Sequence, residues 1–81
     1  MEVDPGLILK ILAHIRRHGG RRETGLHYQD IAGDYTYDQV DFHVKRCVEQ
    51  GLIIRRGVLA RDWAIVSLTQ KGWDYLRDEE T

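Results

Sequence analysis

The 81-residue chain has a single cysteine, a single proline and no long apolar run. The one cysteine, Cys47, excludes an internal disulfide, and such sparing use of cysteine is typical of the reducing cytoplasm. A membrane-spanning helix needs about 20 consecutive apolar residues, which no segment supplies. The chain also has no large excess of charge of either sign, since its net charge is −1. These features predict a cytoplasmic protein rather than a secreted or membrane protein.

The composition is that of one folded domain, expected to span residues 1–81. Hydrophobic residues make up 42% and charged residues 31% of the chain, which is typical of a globular protein. The sequence pI of about 6.4 argues against a dedicated nucleic-acid-binding domain, for which values above about 9 are common. The distribution of charge argues the other way, because residues 16–61 contain nine Lys or Arg against six Asp or Glu.

The first helix is predicted from its boundary signals and its apolar spacing. Asp4 before Pro5 marks a helix start. Gly19 and Gly20 mark its end, because glycine takes the left-handed conformation cheaply. Between them, apolar residues recur at helical spacing on one face: Leu7, Ile8, Ile11, Leu12 and Ile15.

A second long helix is predicted to begin at Thr36, because Thr36 and Gln39 have the spacing of a capping box. It is expected to end at Gly51 and to bury one stripe: Tyr37, Val40, Val44, Cys47 and Val48. Its outward positions include Asp38 and Asp41, which repel phosphate. An extended piece near residues 26–27 and a short helix over residues 28–32 are expected before it.

The last third of the chain predicts a β-hairpin and a final helix. Residues 52–56 and 62–68 are rich in β-branched residues and are joined by residues 57–61. Thr69 is expected to cap the last helix, whose acidic end, about residues 78–81, is expected to fray because the helix dipole disfavours acid there. Trp63 and Trp73 are interpreted as core anchors.

The segment VDFHVKRCVEQGLI, residues 40–53, resembles the V-S-x-H-L-x-x-L-x-x-A-G-L-V signature of arsenic-repressor-type winged-helix regulators. The positions that match are Val40, His43, Val44, Cys47, Gly51, Leu52 and Ile53. The segment SLTQKGWDYL resembles the L-T-x-x-G-x-x-x-L pattern that leads from the second wing strand into the next helix. The chain also resembles short phage and bacterial winged-helix proteins of unknown function, over about residues 5–78.

The resemblance implies an α+β winged helix-turn-helix with a three-helix core, a two-stranded wing and a C-terminal helix. It also implies a transcription-regulator-like protein that binds double-stranded DNA, as a dimer if it does so. Two departures stand out, since Asp41 replaces a serine of the signature and Trp73 replaces a histidine of the phage-type pattern. The metal-sensing cysteines of the arsenic-repressor type are absent, so metal sensing does not carry over.

In such a fold the third helix contacts base edges and the wing contacts the DNA backbone. The resemblance therefore assigns DNA-binding roles to eight residues: Thr36, Gln39, Phe42, Lys45, Arg46, Arg55, Arg56 and Arg61. Further backbone contacts are expected from the end of the first helix and the loop after it: Arg16, Arg17, Arg21 and Arg22.

A protein-interaction or dimerisation module of the same fold is the alternative function. Leu9, Ala13 and Arg16 lie off the main stripe of the first helix and are the candidate partner surface. Phe42 on a polar face is a second candidate anchor. No catalytic motif, cofactor site or small-molecule substrate is indicated. His14 and His18 have a spacing that suits metal binding, but two histidines at the rim of an apolar stripe are ordinary helix residues, so no metal is predicted.

Overall fold

The computed structural model describes residues 2–60 and 63–80, which form an α+β domain. The described residues contain four helices and a three-stranded antiparallel sheet, an arrangement compatible with a winged helix. In chain order these are α1 (Pro5–Gly19), β1 (Thr24–His27), α2 (Tyr28–Ala32), α3 (Tyr37–Glu49), β2 (Ile53–Ala60), β3 (Trp63–Leu68) and α4 (Gln70–Glu80). The predicted boundaries of α1, α2 and α3 are confirmed.

The sheet has the strand order β1-β3-β2, so the last strand lies in the centre. β1 and β3 pair with Leu26 opposite Ala64, and β2 and β3 pair with Arg55 opposite Val66. Leu26, Ala64 and Val66 are buried, so one face of the sheet packs on the helices. The sequence predicted only an extended piece where β1 joins this sheet, because a four-residue strand carries little pattern of its own.

The core is built from the predicted apolar face of α1 and from the inner faces of α3 and the sheet. The α1 stripe is confirmed, with each of its five members at most 4% exposed. Cys47 is fully buried, and burial raises the pKa of its thiol to about 12, which keeps it protonated at neutral pH. The prediction for Val48 is wrong, because this side chain is 39% exposed and lies beyond the edge of the buried stripe.

The interpretation of the two tryptophans as core anchors is also wrong, because both lie at the surface of the packed layers. Trp63 is half-buried and stacks on His27, with ring centroids 5.4 Å apart and planes 13° from parallel. Trp73 is half-buried beneath the guanidinium of Arg21, 4.7 Å from the ring centroid. Both rings therefore cover the edges of the domain.

Helix α4 continues through Glu80, so most of the segment that was expected to fray has helical backbone. Thr69 caps its start as predicted, since the Thr69 hydroxyl accepts from the backbone N–H of Gly72. Arg77 pairs with Asp74 at 3.1 Å and with Asp78 at 4.0 Å, which offsets part of the acid near the helix end. In the described part of the chain, no helix is both long and apolar enough to cross a membrane.

Asp4 joins the start of α1 to the start of α3. Its carboxylate accepts from the backbone N–H of Gly6 and from the hydroxyl of Tyr35, the latter at 2.7 Å. Its own backbone N–H donates to Nε2 of the buried His43 at 2.8 Å. Nδ1 of His43 lies 2.6 Å from the carbonyl oxygen of Gln39 and must donate, because a carbonyl only accepts. Both ring nitrogens of His43 are thus engaged, Nδ1 as donor and Nε2 as acceptor.

We expect the Tyr35→Phe substitution to raise the pKa of Asp4 toward its ordinary value. The Tyr35 hydroxyl makes the largest contribution to the lowered pKa of this carboxyl, ahead of the backbone hydrogen bonds. A carboxyl pKa that is lowered by folding stabilises the protein above the unfolded-state pKa, and this stability is lost as the pH falls through the folded-state pKa. The measurement is an NMR titration of the Asp4 carboxyl carbon in both proteins.

The Asp4→Asn variant tests the linked effect on stability, because asparagine caps a helix as well as aspartate but carries no charge. Its stability to urea should lose the acid-dependent component that wild-type protein shows below neutral pH. Identical Asp4 titration midpoints in wild-type and Tyr35→Phe protein would contradict the role given to the hydroxyl.

Candidate nucleic-acid interface

The outward face of α3 lies beside strand β2 and carries two exposed members of the predicted DNA-binding set. The side chains of Lys45 and Arg46 are 61% and 44% exposed. They are held on the outside because Val44 and Cys47, their neighbours along the helix, are buried against the core. The structure thus places this pair where a ligand reaches it.

Thr36 and Gln39 are engaged in starting α3. The Thr36 hydroxyl accepts from the backbone N–H of Gln39 at 3.1 Å, and Oε1 of Gln39 accepts from the backbone N–H of Thr36 at 2.8 Å. The predicted capping box is confirmed. A bidentate contact from glutamine to adenine needs Oε1 as well as the amide nitrogen, so such a contact by Gln39 competes with the helix cap.

Asp41 links α3 to β2. Its carboxylate lies 2.9 Å from Nζ of Lys45 and 3.9 Å from Nη1 of Arg55. The side chains of Asp41 and Arg55 are only 22% and 18% exposed, so this second pair lies partly inside the domain. Arg55, predicted as a phosphate contact of the wing, therefore points toward α3. Its register opposite Val66, on the inner face of the sheet, accounts for this direction.

Tyr28 lies beneath the Asp41–Arg55 pair. Its hydroxyl is buried and has no hydrogen-bond partner among the described residues. Burial raises the pKa of Tyr28 to about 12, the nearby Arg55 opposes this, and the Asp41 carboxylate adds to it. The phenol is therefore neutral at pH 7.

The remaining cations of this face also have acidic partners. Nη1 of Arg46 lies 3.5 Å from Glu49, and Nε of Arg56 lies 3.4 Å from Glu23 on the turn before β1. These two pairs are solvent-exposed, and such pairs contribute about 0–1 kcal/mol each, so a phosphate can displace the carboxylate at little cost. Arg61, the eighth predicted residue, lies outside the described residues.

The four arginines at the end of α1 and in the loop after it have different surroundings. Arg21 covers Trp73 and donates to Oε1 of Gln70 at 3.3 Å, so it fixes α4 to the loop. Arg17 and Arg22 are exposed, and Arg16 is half-buried on α1. Of the four arginines expected to contact the DNA backbone, Arg21 instead packs against the domain itself.

The residues proposed for a partner surface are partly buried in the domain. Leu9 and Ala13 are partly buried and pack against the core. Phe42 is half-buried and meets the ring of His43 edge-on, with centroids 5.2 Å apart. The large apolar side chains that the described residues do expose are Val3, Val48 and Ile54, at 42%, 39% and 48%.

His14 and His18 lie side by side on α1, with ring centroids 4.3 Å apart. Within residues 2–60 and 63–80, no group of three His, Cys, Asp or Glu side chains is placed to hold a metal ion.

Sequence reasoning missed two features of this region. One is the link from Asp41 to Arg55, which are far apart in the chain. The other is the joining of α1 to α3 through Asp4, Tyr35 and His43. The capping role of Asp4 and the histidine of the signature were both visible, but nothing in the sequence showed that they meet.

Comparison of the chain with known protein families, with curated proteins and with solved structures found no match.

Proposed function

We propose that the protein is a small winged-helix DNA-binding protein, with α3 entering the major groove and the β2–β3 hairpin lying along the backbone. The observation that carries this proposal is the exposed Lys45–Arg46 face of α3 beside that hairpin. The order of helices and strands, with β1 completing the sheet, is compatible with the fold. A helix of 13 residues is also long enough to lie across a major groove.

Binding in this proposal proceeds by exchange of ionic partners. Lys45 and Arg46 leave Asp41 and Glu49 for phosphate oxygens, and Arg56 leaves Glu23. Each exchange exposes a carboxylate near the DNA, so affinity for unspecific duplex is low and falls steeply with salt. A dimer doubles the phosphate contacts, and the transcription-regulator role is expected of such a dimer.

The test is duplex binding by fluorescence anisotropy over a salt series, with wild-type protein and the double variant Lys45→Glu/Arg46→Glu. We expect binding by the variant to be lost, because two phosphate contacts become repulsions. Circular dichroism should show an unchanged fold, since both side chains are exposed.

The matched control is Lys10→Glu/Arg77→Glu, which makes the same change of charge at exposed positions of α1 and α4. It should weaken binding far less, because these residues lie outside the α3–hairpin face. Equal binding by wild-type protein and the α3 variant would remove the proposal. Absence of binding by wild-type protein at low salt would also contradict the proposal and would favour a protein partner for the exposed face of α3.

A further inference from the structure

A groove of about 300 Å³ lies between α1 and α2, away from the Lys45–Arg46 face. Ala13 and Ile31 contribute its apolar lining. Its other lining residues are charged or titratable: Lys10, His14, Arg16, Arg17 and Asp30. The groove therefore combines several cations with one carboxylate in a concave site, at the small end of the range for ligand pockets.

Within the described part of the chain, two cations of this groove, Lys10 and Arg17, lack the carboxylate partners that the cations of the α3 face have. Lys10 and Arg17 are exposed, and no carboxylate among the described residues forms an ion pair with either. By contrast, Lys45, Arg46 and Arg56 each have a carboxylate partner. In a chain whose net charge is −1, unpaired cations around a concavity favour a small anion.

The position of Lys10 is defined by α2. Gly33 closes α2 with φ +52, and a Cβ at this position would stand 3.0 Å from Nζ of Lys10. The absence of a side chain at Gly33 thus lets the ammonium group of Lys10 lie over the end of α2. Lys10 and Arg17 both belong to α1, seven residues apart, so they line the groove from the same helix, and Asp30 lines it from α2.

The pKa of His14 is sensitive to the charges in the groove. Its pKa is lowered first by partial burial and then by the neighbouring His18, with Arg17 and His27 acting in the same direction and Asp30 opposing them. The ring is therefore mainly neutral at pH 7. An anion bound beside it would stabilise the imidazolium and raise this pKa.

We propose that the groove binds the phosphate group of a small phosphate monoester. Lys10 and Arg17 contact the phosphate, because ammonium and guanidinium groups are its strongest protein donors. Asp30 accepts a hydrogen bond from a hydroxyl of the organic part. This ligand is distinct from the DNA of the proposed function, and the site stands whether or not DNA is bound.

The test is an NMR titration of the His14 ring with ribose 5-phosphate in a phosphate-free buffer of constant ionic strength. We expect a saturable shift and a rise in the pKa of His14. Ribose, which lacks the phosphate, should give no shift, and inorganic phosphate should bind more weakly because it makes no contact with Asp30. Absence of a saturable shift with ribose 5-phosphate overturns the proposal.

Arg17→Glu is expected to weaken binding roughly tenfold or more, the effect of losing one charge-assisted hydrogen bond. Arg22→Glu is the matched control, because it makes the same change of charge at an exposed position outside the groove. Thermal unfolding checks that both variants retain the fold. If Arg17→Glu does not fold, Arg17→Gln is measured in its place. Equal losses in the position-17 and position-22 variants overturn the proposal. A His14 shift with duplex DNA but not with ribose 5-phosphate also overturns it.

Discussion

Replacing Gly72 by alanine is expected to lower the free energy of unfolding by about 2 kcal/mol, although alanine favours helix by about 1 kcal/mol. Gly72 lies inside α4, where a Cβ would clash with the carbonyl oxygen of Leu52. That oxygen belongs to the backbone and cannot turn aside like a side chain. The clash therefore outweighs the gain in helix propensity.

The carbonyl of Leu52 also accepts from the backbone N–H of Thr69 at 3.1 Å. A displaced α4 would strain this bond, which joins the start of β2 to the start of α4. Urea unfolding followed by circular dichroism measures the loss. Glu79→Ala, an exposed substitution in the same helix, should change stability by no more than about 0.5 kcal/mol. A Gly72→Ala protein as stable as wild type would show that α4 does not approach Leu52 this closely.

Replacing Asp41 by asparagine is expected to tighten duplex binding about tenfold at low salt, if the protein binds DNA as proposed. Asp41 holds Lys45 at 2.9 Å and Arg55 at 3.9 Å, so its neutralisation releases two cations and removes one charge that repels phosphate. Anisotropy over a salt series should show higher affinity and a steeper dependence on salt. The domain should lose about 1 kcal/mol of stability, because the partly buried Arg55 keeps only a neutral partner.

Asp38→Asn separates the loss of the ion pairs from the loss of charge. Asp38 is exposed in the first turn of α3, and none of the ion pairs seen among the described residues involves it, so its removal changes the charge alone. We expect a gain of only about twofold to threefold for this variant. Equal gains in the two variants would mean that Asp41 acts through general charge, and unchanged affinity in Asp41→Asn would contradict its role as a competitor of phosphate.

Local signals predicted the helices well because each signal acts within one turn of the chain. Asp4 before Pro5 and Gly19 with Gly20 bound α1, and Thr36 with Gln39 starts α3 through bonds between residues three apart. The apolar spacing of α1 also predicted its buried face. For such elements, hydrogen-bonding partners and periodicity are both contained in a short sequence, so the local prediction needs no tertiary structure.

The candidate interface was predictable only in part. Its position on α3 followed from the pattern of buried residues and from the resemblance to winged-helix regulators. The pairing of its charges did not, because Asp41 meets Arg55 only when β2 packs beside α3. A charge count treats Asp41 as a repulsion, whereas the structure makes it an internal partner that holds two cations.

The sequence by itself determined the helix boundaries, the burial of the α1 stripe and of Cys47, and the exclusion of an internal disulfide. Tertiary structure alone decided the joining of β1 to the sheet, the surface position of Trp63 and Trp73, and the close approach of Leu52 to Gly72. The physical reason is the distance in sequence between the partners. Contacts within a turn are fixed by neighbouring residues, but contacts between separate elements depend on how the entire chain packs.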